Sequence, residues 1–325
     1  MAKHSYSGPV TDHYDGTRFF VPGHNGDKSQ LDLLKWSFGG GRAKWPKRFD
    51  SPHGHKPPER VKGIRSTLIG HASFLLQIAG LNLLIDPVFA DRASPFSFAG
   101  PKRVNAAGVA FDDLPPIDAV LLTHNHYDHL DKNILWRLAE RFKPHFIGPL
   151  GIDHDIARAG KMPGLMTTLD WGQQTSFGEF SIHAVPTYHW SARSLRDRRK
   201  TLWCSFVITS PVGTVYHIGD TGYGAGEFSR DVARVFGQVD LAHIPIGAYE
   251  PRWFMKDHHV NPDEAVQILQ DCGAAKAVGH HWGTFQLTNE AHDQPRQDLA
   301  VALAATKIPV DRFQAFRPGQ AIELS

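Results

Sequence analysis

Cysteine is scarce in this chain of 325 residues, which contains only Cys204 and Cys272. The two are far apart in the sequence, so they form neither the CxxC spacing of a zinc knuckle nor the cysteine framework of a small secreted domain. We therefore expect two reduced and buried thiols. This scarcity excludes a thiolate metal site and a disulfide-stabilised scaffold.

Long apolar segments are also lacking. A membrane-spanning helix needs about 18 or more consecutive apolar residues, and no run in the sequence reaches that length. The first thirty residues contain no apolar core of the kind found in a signal peptide. From the sequence we therefore expect a cytoplasmic protein.

An excess of charge of one sign is lacking as well, since 35 Lys and Arg stand against 33 Asp and Glu, a net charge of +2. Residues 1–65 hold twelve of the basic and six of the acidic residues, which leaves 23 basic and 27 acidic side chains in the rest. A domain with this balance is not expected to bind nucleic acid. Histidine, by contrast, is abundant, with 20 residues, and their positions are informative.

The sequence changes character near residue 60. Residues 1–60 are rich in Gly, Pro, His and basic residues, which predicts an irregular basic arm packed on the main domain. Residues 61–325 predict one α/β domain in which two sheets pack together with helices outside. The predicted strands are Ser66–Ile69, Ser73–Ile78, Asn82–Ile85, Ala119–Thr123, Phe180–Val185, Trp203–Thr209, Thr214–Ile218 and Leu241–Pro245, and the predicted helices are Lys132–Phe142, a helix capped by Asn261, and Gln297–Thr306.

Four metal-ligand side chains are concentrated in the run THNHYDHLD (123–131), which overlaps the end of a predicted strand. His124 and His126 are two residues apart, so in extended backbone both imidazoles point to the same side. Asp128 and His129 follow as the chain turns into a helix. Imidazole and carboxylate are zinc ligands. The run therefore predicts two imidazoles at one ion, with the carboxylate and the third imidazole at a second ion.

Two ions need more ligands than this loop has, so the loop predicts partners at the ends of other strands. His189 and Asp220 follow two of the predicted strands, and His281 follows the apolar stretch Ala274–Val278. We expect His124, His126 and His189 at one zinc ion, Asp128, His129 and His281 at the other, and Asp220 between them.

The run THNHYDHLD matches the HxHxDH signature of the metallo-β-lactamase superfamily, and the wider sequence resembles its N-acyl-phosphatidylethanolamine-hydrolysing phospholipase D family. The segments that carry the resemblance are IGHASFLLQ (69–77), IDPVFADRASPFSFAGPKR (85–103), LPPIDAVLLTHNHYDHLD (114–131), HWSARSL (189–195), GDTGYG (219–224), IPIGAYEPRWFMKDHHVNPDEAV (244–266) and HWGTF (281–285). The resemblance implies an α/β sandwich, the αββα four-layer fold, as a hydrolase domain over residues 61–325. It also implies the same seven metal positions, His281 rather than His280 as the ligand, and two Zn²⁺ per chain.

The activity that this resemblance implies is that of a zinc-dependent phosphodiesterase. Its expected substrates are N-acyl-phosphatidylethanolamine-like glycerophospholipids, hydrolysed in the manner of a phospholipase D by a hydroxide that bridges the two ions. We expect Asp128 and Asp220 to act in catalysis. His259 resembles a non-ligand active-site histidine of the family and is the candidate proton donor or phosphate contact, with a structural role as the alternative.

Four residues beside the predicted site are candidates for substrate binding: Tyr127, Tyr188, Arg193 and His258. Packing is the alternative role for Tyr127, and a surface role is the alternative for Arg193. Mammalian members of the family carry other residues at positions 188, 192, 257 and 258, so the resemblance leaves the acyl-chain preference open.

Two surface features bear on the partner of the protein. The run RSLRDRRK (193–200) has five basic residues and one acidic residue, which predicts either a solvated loop or a peripheral contact with an anionic membrane surface. For PFSF (95–98) we expect a place in the core rather than on a lipid-facing lip. A homodimer is left open.

The same residues are compatible with one other enzymatic function and exclude another. A lactonase acting on a sugar-phosphate lactone is the alternative, because the same metal set would serve ester opening. Flavin-linked di-iron oxidoreductases share this fold but carry HxExD where this chain has His126, which excludes that class. A binding module without catalysis would have little use for a complete ligand set.

Overall fold

Two seven-stranded sheets form the centre of the molecule. The structure, a computed structural model, describes residues 6–24, 26–51, 56–157 and 161–324. The strands are β1 (Ile64–Gly70), β2 (Ser73–Ile78), β3 (Leu81–Ile85), β4 (Ala119–Leu121), β5 (His145–Pro149), β6 (Met166–Leu169), β7 (Gln174–Phe177), β8 (Phe180–Val185), β9 (Ser205–Ser210), β10 (Gly213–His217), β11 (Leu241–Pro245), β12 (Lys276–His280), β13 (Phe313–Ala315) and β14 (Ala321–Leu324).

Each sheet is antiparallel in one half and parallel in the other. The first has the order β14-β1-β2-β3-β4-β5-β6 and the second the order β13-β12-β11-β10-β9-β8-β7. Pairing is parallel from β3 to β6 and again from β10 to β13. Parallel strands that are covered on both faces require continuous apolar runs, and β4 and β11 are buried at every residue. The loops at the carboxyl ends of these parallel strands contain most of the predicted metal ligands.

Helices cover the outer face of each sheet. The helices of the described residues are α1 (Gln30–Phe38), which lies in the arm, α2 (Lys132–Phe142), α3 (Ile152–Ile156), α4 (Glu227–Phe236), α5 (Arg252–Met255), α6 (Pro262–Asp271) and α7 (Gln294–Thr306). One apolar cluster lies between the two sheets, a second joins the first sheet to α2 and α3, and a third joins the second sheet to α4, α6 and α7. The order of layers is therefore helix, sheet, sheet, helix, which confirms the predicted fold class.

Local signals predicted two helices closely. The helix α2 has the predicted bounds, and its C-cap Lys143 adopts a left-handed φ of 52° just before Pro144. At the start of α6 the Asn261 side chain accepts from the Glu264 backbone N–H, and the Glu264 carboxylate accepts from the Asn261 N–H, as in a capping box. The third predicted helix, α7, begins at Gln294, three residues before the predicted start.

The arm was predicted to be irregular, but it contains the helix α1. This helix starts at a capping box formed by Ser29 and Asp32. Contacts with the rest of the chain include the Lys28–Asp257 ion pair, 2.6 Å long, and a hydrogen bond from Trp36 to Asn289. Residues 1–5, 25 and 52–55 of the predicted arm lie outside the described residues, and its boundary at residue 60 stays a prediction. Among the described residues, no helix combines the length and apolar character needed to cross a membrane.

The expectation for PFSF (95–98) is wrong. Phe96 is 55% exposed and Phe98 is 78% exposed, and their rings contact each other rather than the core. The surrounding loop between β3 and β4 contains bends and no regular strand, so no sheet face covers these rings.

Candidate metal centre

The loop that follows β4 is held rigidly at its far end. Asp131 caps α2, since its Oδ1 accepts from the backbone N–H groups of Asn133 and Ile134. Its Oδ2 accepts from the N–H groups of Phe89 and Ala90 in the loop after β3. The loop therefore runs between a buried strand and an anchored helix start, and its ligand side chains have little freedom to move.

Three imidazoles of the first predicted ligand group face one another. The ligand atoms of His124, His126 and His189 lie within 4.8 Å of one another, and His189 Nε2 is 3.2 Å from His126 Nδ1. His189 Nδ1 donates to the backbone carbonyl of His258, so its Nε2 carries the free lone pair. His124 Nδ1 contacts Thr123 Oγ1 at 2.9 Å, which likewise leaves Nε2 for the centre.

The second predicted group lies beside the first. Asp128 Oδ2 is 3.3 Å from His281 Nε2 and 3.7 Å from His129 Nε2. His129 Nδ1 donates to Asp86 Oδ2 over 2.7 Å, and Asp86 in turn accepts from the N–H and the hydroxyl of Thr123. A carboxylate behind an imidazole in this way fixes its tautomer and makes its outer nitrogen a better metal ligand.

Asp220 lies between the two groups. Its Oδ2 is 3.1 Å from His281 Nε2, 3.3 Å from His129 Nε2, 3.6 Å from His189 Nε2 and 3.9 Å from His124 Nε2. One carboxylate oxygen thus faces ligand nitrogens of both groups. This is the position expected of a ligand shared by two ions.

Unpartnered buried atoms test whether these residues fit a metal. His124 Nε2, His129 Nε2, His281 Nε2 and Asp220 Oδ1 are all buried without a hydrogen-bond partner. Buried polar atoms without a partner are costly and rare, and here several of them converge. Cations bound among them would satisfy these atoms. Imidazole and carboxylate without thiolate suit zinc, and they also suit other first-row metals.

The protonation states also fit. Burial raises the pKa of Asp128 and of Asp220, but the neighbouring His129 and other imidazoles outweigh this and hold both pKa values well below the ordinary range. Burial lowers the pKa of His124 and of His189 well below the ordinary value. The pKa of His129, which burial lowers, is raised overall by Asp220 and Asp128, so a cation that binds there displaces a proton.

His259 faces the centre from outside the seven predicted ligands. Its Nδ1 is 4.0 Å from Asp220 Oδ2 and has no hydrogen-bond partner, and its ring lies near those of His189 and His281. Its ligand atom groups with those of His189 and Asp220. Burial lowers the pKa of His259 to about 4.

Two residues predicted to bind substrate instead make packing contacts and hydrogen bonds within the protein. Tyr188 is 7% exposed, its hydroxyl donates to Glu227, and its ring packs on Phe228. His258 is 7% exposed and its Nε2 contacts the carbonyl of Gly26 in the arm at 2.9 Å. These contacts favour structural roles, and substrate binding by either residue stays a prediction.

The other two predicted contacts brace the ligand loop. Arg193 Nη1 donates to the carbonyls of Asn125 and Leu130, and its guanidinium lies 3.9 Å from the centroid of the Tyr127 ring. The Tyr127 hydroxyl donates to the Arg193 carbonyl. Arg193 therefore connects both ends of the ligand loop to the loop after His189, an arrangement that favours a bracing role.

Two residues of the site were missed from the sequence. Asp86 supports His129, and His71 places its Nε2 3.0 Å from Asp128 Oδ2. Both occur in segments that carry the family resemblance, and both have positive φ, 44° for Asp86 and 52° for His71. A polar residue directly after an apolar strand is the only sequence signal for either.

Comparisons with known proteins agree with this geometry. A family model described as the β-lactamase superfamily domain matches residues 81–282. An N-acyl-phosphatidylethanolamine-hydrolysing phospholipase D of Caenorhabditis elegans is 38% identical over 73% of this chain and 69% of its own. A mitochondrial enzyme of the same name from Saccharomyces cerevisiae is 34% identical over 78% of this chain and 54% of its own.

Among solved structures, the metallo hydrolase Igni18 from Ignicoccus hospitalis has a TM-score of 0.61 at 18% identity, covering 81% of this chain and 98% of its own, which shows the shared fold. The chain therefore belongs to the metallo-β-lactamase superfamily and, within it, to the family of the N-acyl-phosphatidylethanolamine-hydrolysing phospholipases D.

Proposed function

We propose that this protein is a dinuclear zinc phosphodiesterase that hydrolyses N-acyl-phosphatidylethanolamine-like glycerophospholipids in the manner of a phospholipase D. The observation that carries the proposal is the position of Asp220 Oδ2 within 4.0 Å of ligand nitrogens from both histidine groups. The substrate class is supported by relatives of that activity at 34% and 38% identity.

The residues divide into two functions. Two zinc ions, when bound, supply an activated water and neutralise the charge that develops on the phosphoryl oxygens. His124, His126 and His189 would hold one ion, and Asp128, His129 and His281 the other, with Asp220 shared. In this proposal His259 holds or moves the proton that the leaving alcohol needs, because its Nδ1 faces the centre without a partner.

We also propose a peripheral contact with an anionic membrane surface. Leu195 is fully exposed on the basic loop 193–200, which directly follows the ligand His189 and its neighbours. On α1, Leu31 is 77% exposed and Phe38 is 84% exposed. The segment before α1 contacts His258 near the centre. Exposed apolar side chains beside basic residues are suited to insertion among anionic headgroups.

A three-substrate assay tests the activity. N-acyl-phosphatidylethanolamine in mixed micelles, an aryl phosphodiester and a sugar-phosphate lactone are each offered to the metal-loaded protein. We expect turnover of the lipid with release of phosphatidic acid, together with about two zinc ions per chain by elemental analysis. Turnover of the lactone alone would replace this proposal by the lactonase, and iron as the bound metal would contradict the zinc centre.

Co-sedimentation with vesicles tests the membrane contact. We expect Leu195→Asp and Phe38→Asp to weaken binding to phosphatidylserine-containing vesicles. Turnover of the soluble aryl phosphodiester should change little. Val310→Asp is the matched control, since Val310 is 68% exposed and precedes β13, at the edge opposite the parallel-strand carboxyl ends. Equal binding by all variants would contradict this surface.

A homodimer and a cytoplasmic location stay predictions.

A further inference from the structure

His71 lies in the turn between β1 and β2, beside the metal centre but outside the seven predicted ligands. Its side chain is 1% exposed, and its Nε2 is 3.0 Å from Asp128 Oδ2. The ring contacts that of His281 at a centroid distance of 4.1 Å and forms a T-shaped pair with the ring of Phe285 at a centroid distance of 5.3 Å. The loop after β4 and the loop after β12 therefore both contact this imidazole.

The backbone of His71 is tied to the same loop as His281. The His71 N–H donates to Thr284 Oγ1, and the His71 carbonyl accepts from the N–H of His281. Movement of this turn would therefore move a predicted metal ligand. The turn and the loop after β12 form one hydrogen-bonded unit.

The tautomer of His71 follows from its surroundings. Its Nδ1 is buried and has no hydrogen-bond partner, so a hydrogen there would be an unpaired buried donor. The hydrogen of the neutral imidazole therefore belongs on Nε2, where Asp128 accepts it. In this tautomer Nε2 has no lone pair to offer to a metal, although its position would otherwise group with Asp128, His129 and His281 as a ligand.

The backbone conformation of His71 also requires a reason. Its φ of 52° is left-handed, a region that residues with a Cβ adopt uncommonly, and this conformation costs on the order of 1 kcal/mol. Gly70, the last residue of β1, precedes it. A histidine held at the strained position, with its ring directed at a ligand carboxylate, indicates that the side chain has a use in the site.

We propose that His71 is a positioning residue for the second metal group: its Nε2–H holds the Asp128 carboxylate in the orientation that presents it to His129 and His281. Asp128 Oδ2 lies 3.3 Å from His281 Nε2 and 3.7 Å from His129 Nε2, so a small rotation of this carboxylate would open the group. This inference rests on the proposed metal centre and adds a residue that acts through Asp128.

Metal affinity is the readout that separates this role from a merely structural one. We expect His71→Leu to weaken the binding of one of two zinc ions about 10–100-fold in competition with a chromogenic chelator, leaving the other ion unaffected. We expect His71→Gln, whose amide retains a donor, to recover most of the lost affinity. His154→Leu, on an exposed position of α3, is the control.

A double-mutant cycle completes the test. In an Asp128→Ala background, where no acceptor is left at position 128, His71→Gln and His71→Leu should bind zinc with the same affinity. Wild-type affinity in His71→Leu would overturn the proposal. So would an altered visible spectrum of His71→Gln at saturating Co²⁺, because that would make His71 a ligand. Failure of the wild-type protein to bind two ions would instead refute the metal centre itself.

Discussion

Single atoms decide which side of each imidazole faces the centre. In three predicted ligands the far nitrogen contacts another part of the protein: His124 contacts Thr123, His129 donates to Asp86 and His189 donates to the His258 carbonyl. In the neutral imidazoles the near nitrogens keep their lone pairs, and all three of these nitrogens face one small volume. This preorganisation reduces the cost of binding a cation, because the ligands need not be reoriented.

His189 is the sharpest test of the first group, since it reaches the loop ligands from the other sheet. We expect His189→Ala to lose one of two zinc ions and to lower kcat/KM by at least about 100-fold, with an unchanged far-UV spectrum. Metal analysis and steady-state kinetics measure both effects. His154→Ala, an exposed histidine on α3, should behave as wild type. Retained activity in His189→Ala would remove it from the ligand set.

Substitution of Asp86 tests a residue that supports the predicted ligand His129, rather than the ligand itself. Asp86→Asn replaces the acceptor of the His129 Nδ1–H by an amide, so we expect zinc affinity to fall about 10–100-fold while saturating zinc restores most activity. Competition with a chelator measures the affinity. Asp153→Asn in α3 is the control. An unchanged affinity would show that the tautomer of His129 does not depend on this carboxylate.

At the scale of elements, the site depends on loops that fix one another. The loop after β4 is anchored by Asp131 at α2 and by Arg193 from the loop after β8. The arm reaches the same region, where Gly26 accepts from His258 and Lys28 pairs with Asp257. Loops with this many mutual bonds behave as parts of the rigid scaffold.

Substitution of Arg193 distinguishes a role in bracing the loop after β4 from a role in substrate binding. Arg193→Met removes the donors to two buried carbonyls, so we expect the free energy of unfolding to fall by about 2–3 kcal/mol in urea denaturation. Arg196→Met, on an exposed residue of the same loop, should change it little. A raised KM for lipid with unchanged stability would instead support the substrate contact that the sequence predicts.

At the scale of the whole molecule, the candidate ligands come from both sheets. The predicted ligands of the loop after β4 follow a strand of the first sheet, whereas His189, Asp220 and His281 follow strands of the second. Bound cations would therefore link the two halves of the sandwich. A cation that binds only the folded chain stabilises it in proportion to the logarithm of its concentration.

Removal of metal should therefore weaken the whole fold. We expect a strong chelator to abolish activity and to lower Tm by several degrees, since zinc at 1,000 times its Kd contributes about 4 kcal/mol. Scanning calorimetry at increasing zinc concentrations measures the shift. Magnesium at the same concentrations is the control, because it prefers oxygen ligands. A Tm that does not depend on zinc would contradict ligation across both sheets.

The sequence predicted the parts of the site that depend on short-range order. The spacing of His124 and His126 after an apolar strand indicated a metal loop, and the Asn261 capping box located the start of α6. The roles of all seven predicted ligands stay predictions, although the structure brings the seven side chains together. Periodicity, capping and strand alternation are properties of neighbouring residues and can be read along the chain.

Only the tertiary structure decided which side chains support the predicted ligands. It placed His71 against Asp128 and Asp86 behind His129, and it showed that Tyr188 and Arg193 are occupied by contacts within the protein. Each of these contacts except the one between Tyr188 and Glu227 joins residues more than 40 positions apart. The sequence by itself predicted the candidate metal loop, and its predictions of the fold class and the family are confirmed. Which distant side chains meet depended on how the two sheets pack, because that packing brings together strand ends that no local pattern connects.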